Sequence, residues 1–433
     1  MKYPTATTLT TRIGMFAVRQ PTTVTIRYKT PRRLFLAIKN PSSSFKTHRN
    51  FLTTSSVFKM AIGESVVGKP NAWKQPGPAA YDFRSDVMTA PTESMLNAII
   101  NTTLLDDVFS EDTTTNDLES HIAQLSGHEA ALLVMSGTMG NQVALRSHLT
   151  QPPHSVLCDI RGHIVNYEAG GVSALSNAMT IPIHPSNDHH ITLEDVQKYA
   201  IVSDDVHACP TRVISLENTL DGTIMPLSEI KRIADFARQH SIKLHLDGAR
   251  IWEAVAAGAG SLSDFTTLFD SASLCFSKGL GAPIGSIIVG SQSFINHARR
   301  IRKMIGGGTR QAGVISAAAR VAVDETFGHG PNGEGGKLRA SHARAREIAA
   351  LWTSKGGKLA KPVETNMVWL DISHEGLSQD QFAEIAASEG VNARGGRLVV
   401  HYQVSDDAVD RLGRVMDKVR ARSGSGTQTA NGH

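Results

Sequence analysis

The chemistry-bearing residues of this chain begin with a lysine. Leu274-Cys-Phe276 reads as a short buried strand, and Ser277-Lys278-Gly279-Leu-Gly281-Ala-Pro283-Ile-Gly285 follows as a glycine-rich turn. A lysine beside an apolar strand is an expensive choice unless its charge is used. Desolvation favours the neutral amine, which is a nucleophile toward aldehydes. A solvated loop lysine is the competing reading. Upstream, Ser241-Ile-Lys-Leu-His-Leu-Asp247 alternates polar and apolar residues, a strand that ends in Asp247 and Gly248-Ala249-Arg250. An acid at one strand end and a lysine at a later one suit pyridoxal 5'-phosphate (PLP). The amine condenses with the aldehyde of PLP, and the acid keeps the pyridine nitrogen protonated so that the ring can take up electrons.

The phosphate of such a cofactor needs donors. Ala130 to Met135 is a continuous apolar run, typical of a strand buried on both faces. Ser136-Gly137-Thr138 then opens a helix through Leu149. A glycine turn from strand into helix offers free backbone N–H groups to an anion, so Gly137 and Thr138 are the phosphate candidates. An ordinary Thr138 N-cap is the alternative.

These residues need elements to position them. Strands are expected at 155–159, near 180–183 and at 212–216, with helices near 193–199 and from Pro226, where Ile230, Ile233, Ala234 and Ala237 share one face. Strand, helix and strand alternate, which implies parallel pairing with helices on both faces and ligands at the carboxyl ends of the strands. After Gly328-His-Gly-Pro-Asn-Gly-Glu-Gly-Gly336 the pattern changes to a smaller α+β unit. Its strands are expected near 367–372 and 398–402, and its helices near 341–355 and 379–388. The expected organisation is a leader over 1–63, a linker over 64–80, a large domain over 80–328, a small one over 329–421 and a disordered tail over 422–433.

The net charge of +4 misleads. Residues 1–63 hold eleven Lys and Arg and no acid, leaving 33 basic against 40 acidic residues in the remainder. The basic excess lies in the leader, so nucleic-acid binding has no basis. Its composition is that of a transit peptide, giving a mitochondrial protein, or a cytosolic one if translation starts at Met60. No apolar run is long enough to span a membrane. Cys158, Cys209 and Cys275 lack metal-ligand or CxxC spacing, which suggests a reducing compartment, and no metal site is expected.

Asp247-Gly-Ala-Arg250, Ser277-Lys278-Gly279 and Gly281-Ala-Pro-Ile-Gly285 resemble the threonine aldolases of PLP fold type I. So do Phe83-Arg84-Ser85-Asp86, Leu216-Glu-Asn-Thr219, Gly306-Gly-Gly-Thr-Arg310-Gln-Ala-Gly313 and Arg397-Leu-Val-Val-His401. The resemblance covers roughly residues 80–420. It implies an α/β fold with a mostly parallel seven-stranded sheet, and cleavage of L-threonine or L-allo-threonine to glycine and acetaldehyde, or the reverse condensation. It makes Lys278 the cofactor lysine and Asp247 the pyridine partner. His163, in Arg161-Gly-His163, would lie over the ring, and His207 near the substrate hydroxyl, with the choice of base left open between them and a water. Arg397, preferred over Arg394, with Ser85 and Arg250, would hold the substrate carboxylate or the cofactor. Arg310, with Lys303 in support, would reach the phosphate of a neighbouring subunit in a dimer of dimers. Phe109 departs from the family, which often has a tyrosine in that loop. His245 and His401 are read as structural.

Other readings share parts of this pattern. An aminotransferase or a β-eliminating lyase would keep Asp247 and Lys278, while a non-catalytic scaffold would be expected to lose one of them. A nicotinamide-binding protein needs GxGxxG spacing, which Ser136-Gly-Thr-Met-Gly140 lacks.

Overall fold

The computed structural model describes residues 72–426 apart from residue 331. The expected leader, the first part of the linker and the last residues of the tail lie outside the described residues.

One sheet carries most of the fold. Its strands are β1 (Ala130–Val134), β2 (Ser155–Asp159), β3 (Met179–Ile183), β4 (Thr211–Glu217), β5 (Lys243–Gly248), β6 (Ser271–Cys275) and β7 (Ser286–Gly290), in the order β1-β7-β6-β5-β4-β2-β3. The five strands from β3 to β6 run parallel, and β7 is antiparallel to both β6 and β1. The alternation reading yields no strand at β7. Only the glycine-rich turn separates it from β6, and a parallel return would need a crossover of a dozen or more residues. An antiparallel return fits that short connection.

Register does the positioning. Glu217 pairs with Asp247, and Asp247 with Ser273, so the carboxyl ends of β4, β5 and β6 open side by side. Helices follow most of the strands. α1 (Gly137–His148) leaves β1. α2 (Leu227–Gln239) starts at Pro226 and buries Ile230, Ile233, Ala234 and Ala237. Full burial of an isoleucine such as Ile233 is worth about 1.5–3 kcal/mol.

The C-terminal part consists of α3 (Lys337–Ser354), β8 (Met367–Trp369), α4 (Gln379–Ser388), β9 (Arg397–Val399) and α5 (Asp406–Gly426). β8 and β9 pair antiparallel. α5 is absent from the sequence reading, although Ala408, Val409, Leu412, Val415, Met416 and Val419 form a buried stripe at helical spacing. Its backbone continues to Gly426, past the expected end at 421. These residues build their own apolar core with Trp352, Phe382 and Leu398, and Phe83 belongs to it. The Phe83 N–H donates to the Asn392 carbonyl at 2.7 Å, and the Val399 N–H donates to the Phe83 carbonyl at 2.8 Å. This hook fixes the start of the described chain onto the C-terminal core and presents Ser85 and Asp86 beside the sheet.

Candidate active site

The turn after β6 sets Lys278. The Gly281 N–H closes it onto the Lys278 carbonyl at 2.9 Å. Gly281 has φ +86°, and a Cβ there would stand 2.3 Å from the Tyr402 hydroxyl, so the turn requires glycine. Lys278 is half-buried, and its charge stabilises the Asp86 and Glu217 carboxylates.

Asp247 is buried at the end of β5. Its Oδ2 accepts from Asn141 Nδ2 at 2.7 Å, and its Oδ1 from the Ala249 N–H at 3.1 Å. His163 opens a single helical turn after β2. Its backbone N–H donates to Glu217 Oε2 at 2.8 Å, and its Nδ1 lies 2.7 Å from Glu168 Oε1. Nε2 has no partner among the described residues. Ligand-type atoms of His163, Glu168 and Asp247 lie within 4.8 Å of one another. N–H donors already occupy these carboxylates: Asn141 bridges both, and Gln142 Nε2 donates to Glu168 Oε2 at 2.6 Å. That donor set holds negative charge in place and suits a protonated ring nitrogen nearby better than a metal ion.

Glu217 is a site residue that sequence reasoning passed over. Desolvation, and then the adjacent Asp247 charge, push its carboxyl up to about 8. The usable signal was its place at the carboxyl end of an expected strand, where this type of sheet binds ligands. Glu168 and Asn141 were given no role, Asn141 lying four residues past Gly137, and Asp86 was quoted without one.

Asp86 takes the Arg250 side chain in two bonds, Nε at 2.8 Å and Nη2 at 2.6 Å. Burial alone would raise Asp86, but the Arg250 charge and these hydrogen bonds hold it well below the usual carboxylate range. Two of the three Arg250 nitrogens therefore face Asp86. Arg397 differs. Among the described residues its guanidinium meets only the Arg84 carbonyl at 3.3 Å and Met367 Sδ at 3.7 Å, with the Trp369 ring at 5.8 Å. Burial, then the neighbouring Arg250 charge, lower its pKa. A half-buried guanidinium without a carboxylate partner is a receptor for one. It lines an open depression of about 870 Å³ with Arg84, Met88, Tyr167, Trp369 and Arg394.

Gly137 and Thr138 are the first two residues of α1. The Ser136 side chain caps the Met139 N–H at 3.1 Å, and this leaves the N–H groups of Gly137 and Thr138 without intrahelical partners. The buried Ser286 hydroxyl, also without a partner, lies 3.8 Å from where a Gly137 Cβ would be. An orphan hydroxyl beside two free N–H groups at a helix start fits a phosphate. Ser85 is spent locally, capping the Val87 N–H at 3.4 Å and lying beside Asp86.

The structure leaves three expected residues apart from this group. His207 stands on a loop with its side chain 88% exposed, 2.9 Å from Asp205. Pairing with a residue two positions away keeps its ring on that loop. Arg310 pairs with Asp106 at 2.7 Å, and its guanidinium lies 6.0 Å from the centre of the Phe109 ring. Lys303 packs alongside Gly308. Phe109 is itself 72% exposed.

A strand-end acid, a lysine in the turn after the next strand and an open helix start on this sheet define a PLP-dependent enzyme of fold type I. Solved relatives share the fold: the Leishmania major threonine aldolase matches with a TM-score of 0.65 at 18% identity, over 78% of this chain and 99% of that one. The family model of beta-eliminating lyases matches residues 82–375. Aldolase vrtJ of Penicillium aethiopicum is 55% identical over 79% of this chain and 87% of its own. Alanine racemase TOXG of Cochliobolus carbonum is 48% identical, over 79% and 88%. The low-specificity L-threonine aldolase of Eremothecium gossypii is 44% identical, over 77% and 86%. The chain belongs to the threonine aldolases of the beta-eliminating lyase family, and that family depends on PLP.

Proposed function

We propose that this chain cleaves the Cα–Cβ bond of L-threonine and L-allo-threonine, giving glycine and acetaldehyde, and catalyses the reverse condensation of glycine with aldehydes. One observation carries this reading. His163, its Nδ1 held by Glu168 and its Nε2 free, stands beside the Asp247 carboxylate. Aldol cleavage needs a base for the β-hydroxyl and an electron sink for the carbanion, and these groups serve the two needs.

Bound PLP supplies that sink, with Lys278 as its anchor, Asp247 on its ring nitrogen and Gly137, Thr138 and Ser286 on its phosphate. Arg397 takes the substrate carboxylate and so orients the Cα–Cβ bond. His163 Nε2 accepts the β-hydroxyl proton as that oxygen becomes the carbonyl of acetaldehyde. A proton returned to Cα completes glycine. Residues 80–328 hold the cofactor in this arrangement, and residues 329–421 bring in Arg397.

A second copy of the chain covers the region around Arg310, at least as a dimer. Ile100, Leu104, Phe109 and Met304 are large apolar side chains left exposed in a single copy, and burying them is the usual resolution of such a patch. From there Arg310 reaches the phosphate of the neighbouring site. No described helix is long and apolar enough to cross a membrane.

The likeness to an alanine racemase favours a second reading, in which only the Cα proton is removed and returned. One experiment separates the readings. Full-length holoenzyme is given L-threonine with acetaldehyde trapped by an alcohol dehydrogenase, and L-alanine with D-alanine scored by a chiral separation. Acetaldehyde release that His163→Asn strongly reduces supports the aldolase. D-alanine without acetaldehyde overturns it for the racemase, 2-oxobutyrate and ammonia from L-threonine overturn it for an eliminating lyase, and pyruvate from L-alanine that appears only when an α-keto acid acceptor is added overturns it for an aminotransferase.

A further inference from the structure

A series of hydrogen bonds leads from the site along the seam between α1 and the sheet, toward the amino end of β6. Asn141 is almost fully buried on α1. Its Nδ2 meets Asp247 Oδ2 at 2.7 Å and Glu168 Oε1 at 2.8 Å. Ionised carboxylates only accept, so the atom facing both must be the amino group. Asn141 Oδ1 therefore faces His245 Nε2, at 3.1 Å, and that nitrogen carries a hydrogen. His245 is neutral, since burial pushes it down to about 4. Its Nδ1 is then bare and accepts from the Ser271 hydroxyl at 2.8 Å. Ser271 Oγ accepts in turn from His148 Nε2, also at 2.8 Å. His148 is likewise neutral, pushed down to about 3 by burial and then by His245. Asp247 is the charge facing His245, and Asp270 and Lys243 face His148.

Every bond in the series has the same polarity, with hydrogens directed toward the site. A flipped Asn141 amide would set its oxygen against two carboxylates and its amino group against the His245 hydrogen, so the alternative is strongly disfavoured. At the near end Glu168 Oε1 accepts from His163 Nδ1. With the hydrogen on Nδ1, the bare nitrogen of His163 is Nε2.

We propose that Asn141, oriented by His245, Ser271 and His148, is a positioning residue that holds the Asp247 and Glu168 carboxylates by its two N–H bonds and, through Glu168, fixes the His163 tautomer that accepts the substrate proton. This rests on the aldolase reading for the role of His163. The part concerning Asp247 requires only that PLP binds.

The test uses full-length enzyme and two variants. Asn141→Asp has nearly the same shape but at most one hydrogen to give where the amide gives two. Ser271→Ala breaks the series two links away and touches neither carboxylate. Four quantities are measured: melting temperature, PLP affinity by titration of stripped protein, the pH titration of the bound cofactor's visible absorption, and kcat and KM against pH. Asn141→Asp is expected to weaken PLP by about 10- to 100-fold, the loss that follows when a buried charged acceptor loses a donor. It should lower kcat more than it raises KM and move the acid limb of kcat/KM to higher pH. An added acid beside Glu168 favours protonated His163, which accounts for that sign. Ser271→Ala is expected to change the same quantities in the same direction by about two- to fivefold. A folded Asn141→Asp with PLP affinity within twofold and an unmoved acid limb overturns the proposal. If Asn141→Asp does not fold, Ser271→Ala decides: a lowered melting temperature with affinity and acid limb unchanged marks a packing role and overturns it. Wild-type protein that takes up no PLP overturns this proposal together with the functional reading. Wild type that binds PLP but releases no acetaldehyde overturns the His163 part alone, and PLP affinity still decides the Asp247 part.

Discussion

The two sides of the site are built differently. On the sheet side Asp247, Glu168 and Asn141 are buried, and with the Nδ1 of half-buried His163 they are bonded in series at 2.7–2.8 Å. On the open side, among the described residues, Arg397 has only a carbonyl and a thioether as hydrogen-bond partners, Lys278 has no hydrogen bond or ion pair, and Arg394 is exposed. Preorganised charge is most useful where the same group must be met in every turnover. Free donors are needed where a ligand arrives and leaves. The closed side therefore reads as the cofactor's, and the open side as the substrate's. Lys278 falls on the open side, as suits the proposed exchange of a substrate amine at its nitrogen.

Substitutions on the two sides should fail in different ways. The largest loss is expected from Lys278→Ala, which removes the nucleophile: kcat should fall by about a thousandfold or more, and the visible absorption of the bound cofactor should disappear. Retained absorption with full activity would end the assignment. Arg397→Lys keeps the charge and loses the planar fork, so KM for L-threonine should rise about 10- to 100-fold with kcat within a few-fold. A fall in kcat with unchanged KM would instead place Arg397 on the closed side. His207→Asn should change kcat by less than about threefold, since the ring is exposed and held by Asp205. A loss near that of His163→Asn would show that the loop reaches a reacting group in the assembled enzyme.

Legibility in the sequence follows the same division. The parallel strands and their connecting helices were readable because continuous apolar runs and the 3.6-residue stripe of α2 report burial directly. Lys278, Asp247 and the Gly137-Thr138 turn were readable because each stands at a strand end, where this type of sheet binds ligands. The antiparallel β7 was not, since periodicity does not state a strand's direction. The partners of the site residues were hidden for a further reason. Glu217 meets Asp247 only through strand register, and Asn141 joins Glu168 to Asp247 across separations of 27 and 106 residues. Asp86 reaches Arg250 across 164 residues. Local pattern carries no record of such pairings. The motif phrases marked the positions of Asp86 and Glu217 without their contacts, and those contacts add Asp86 as the partner that holds Arg250.

Glu217 stands between the two sides and gives the smallest but most specific effect. Its carboxyl is half-buried, next to Asp247, with Lys278 and Arg250 opposing the upward shift. The folded value of about 8 lies above the ordinary 4.5. Between these two values the folded chain holds a proton on Glu217 that the unfolded chain has released. Stability then falls as pH rises through this window, and the loss is complete above about pH 8. Glu217→Gln removes that titration and keeps an oxygen for the His163 N–H. The melting temperature of the variant apoenzyme relative to wild type should thus increase between pH 5 and pH 8.5, by about 2 °C or more. An equal difference at both pH values would show that Glu217 is ionised throughout. Glu217 would then contribute no pH dependence to the site, and the stabilisation by PLP would be expected to be the same at pH 5 and pH 8.5.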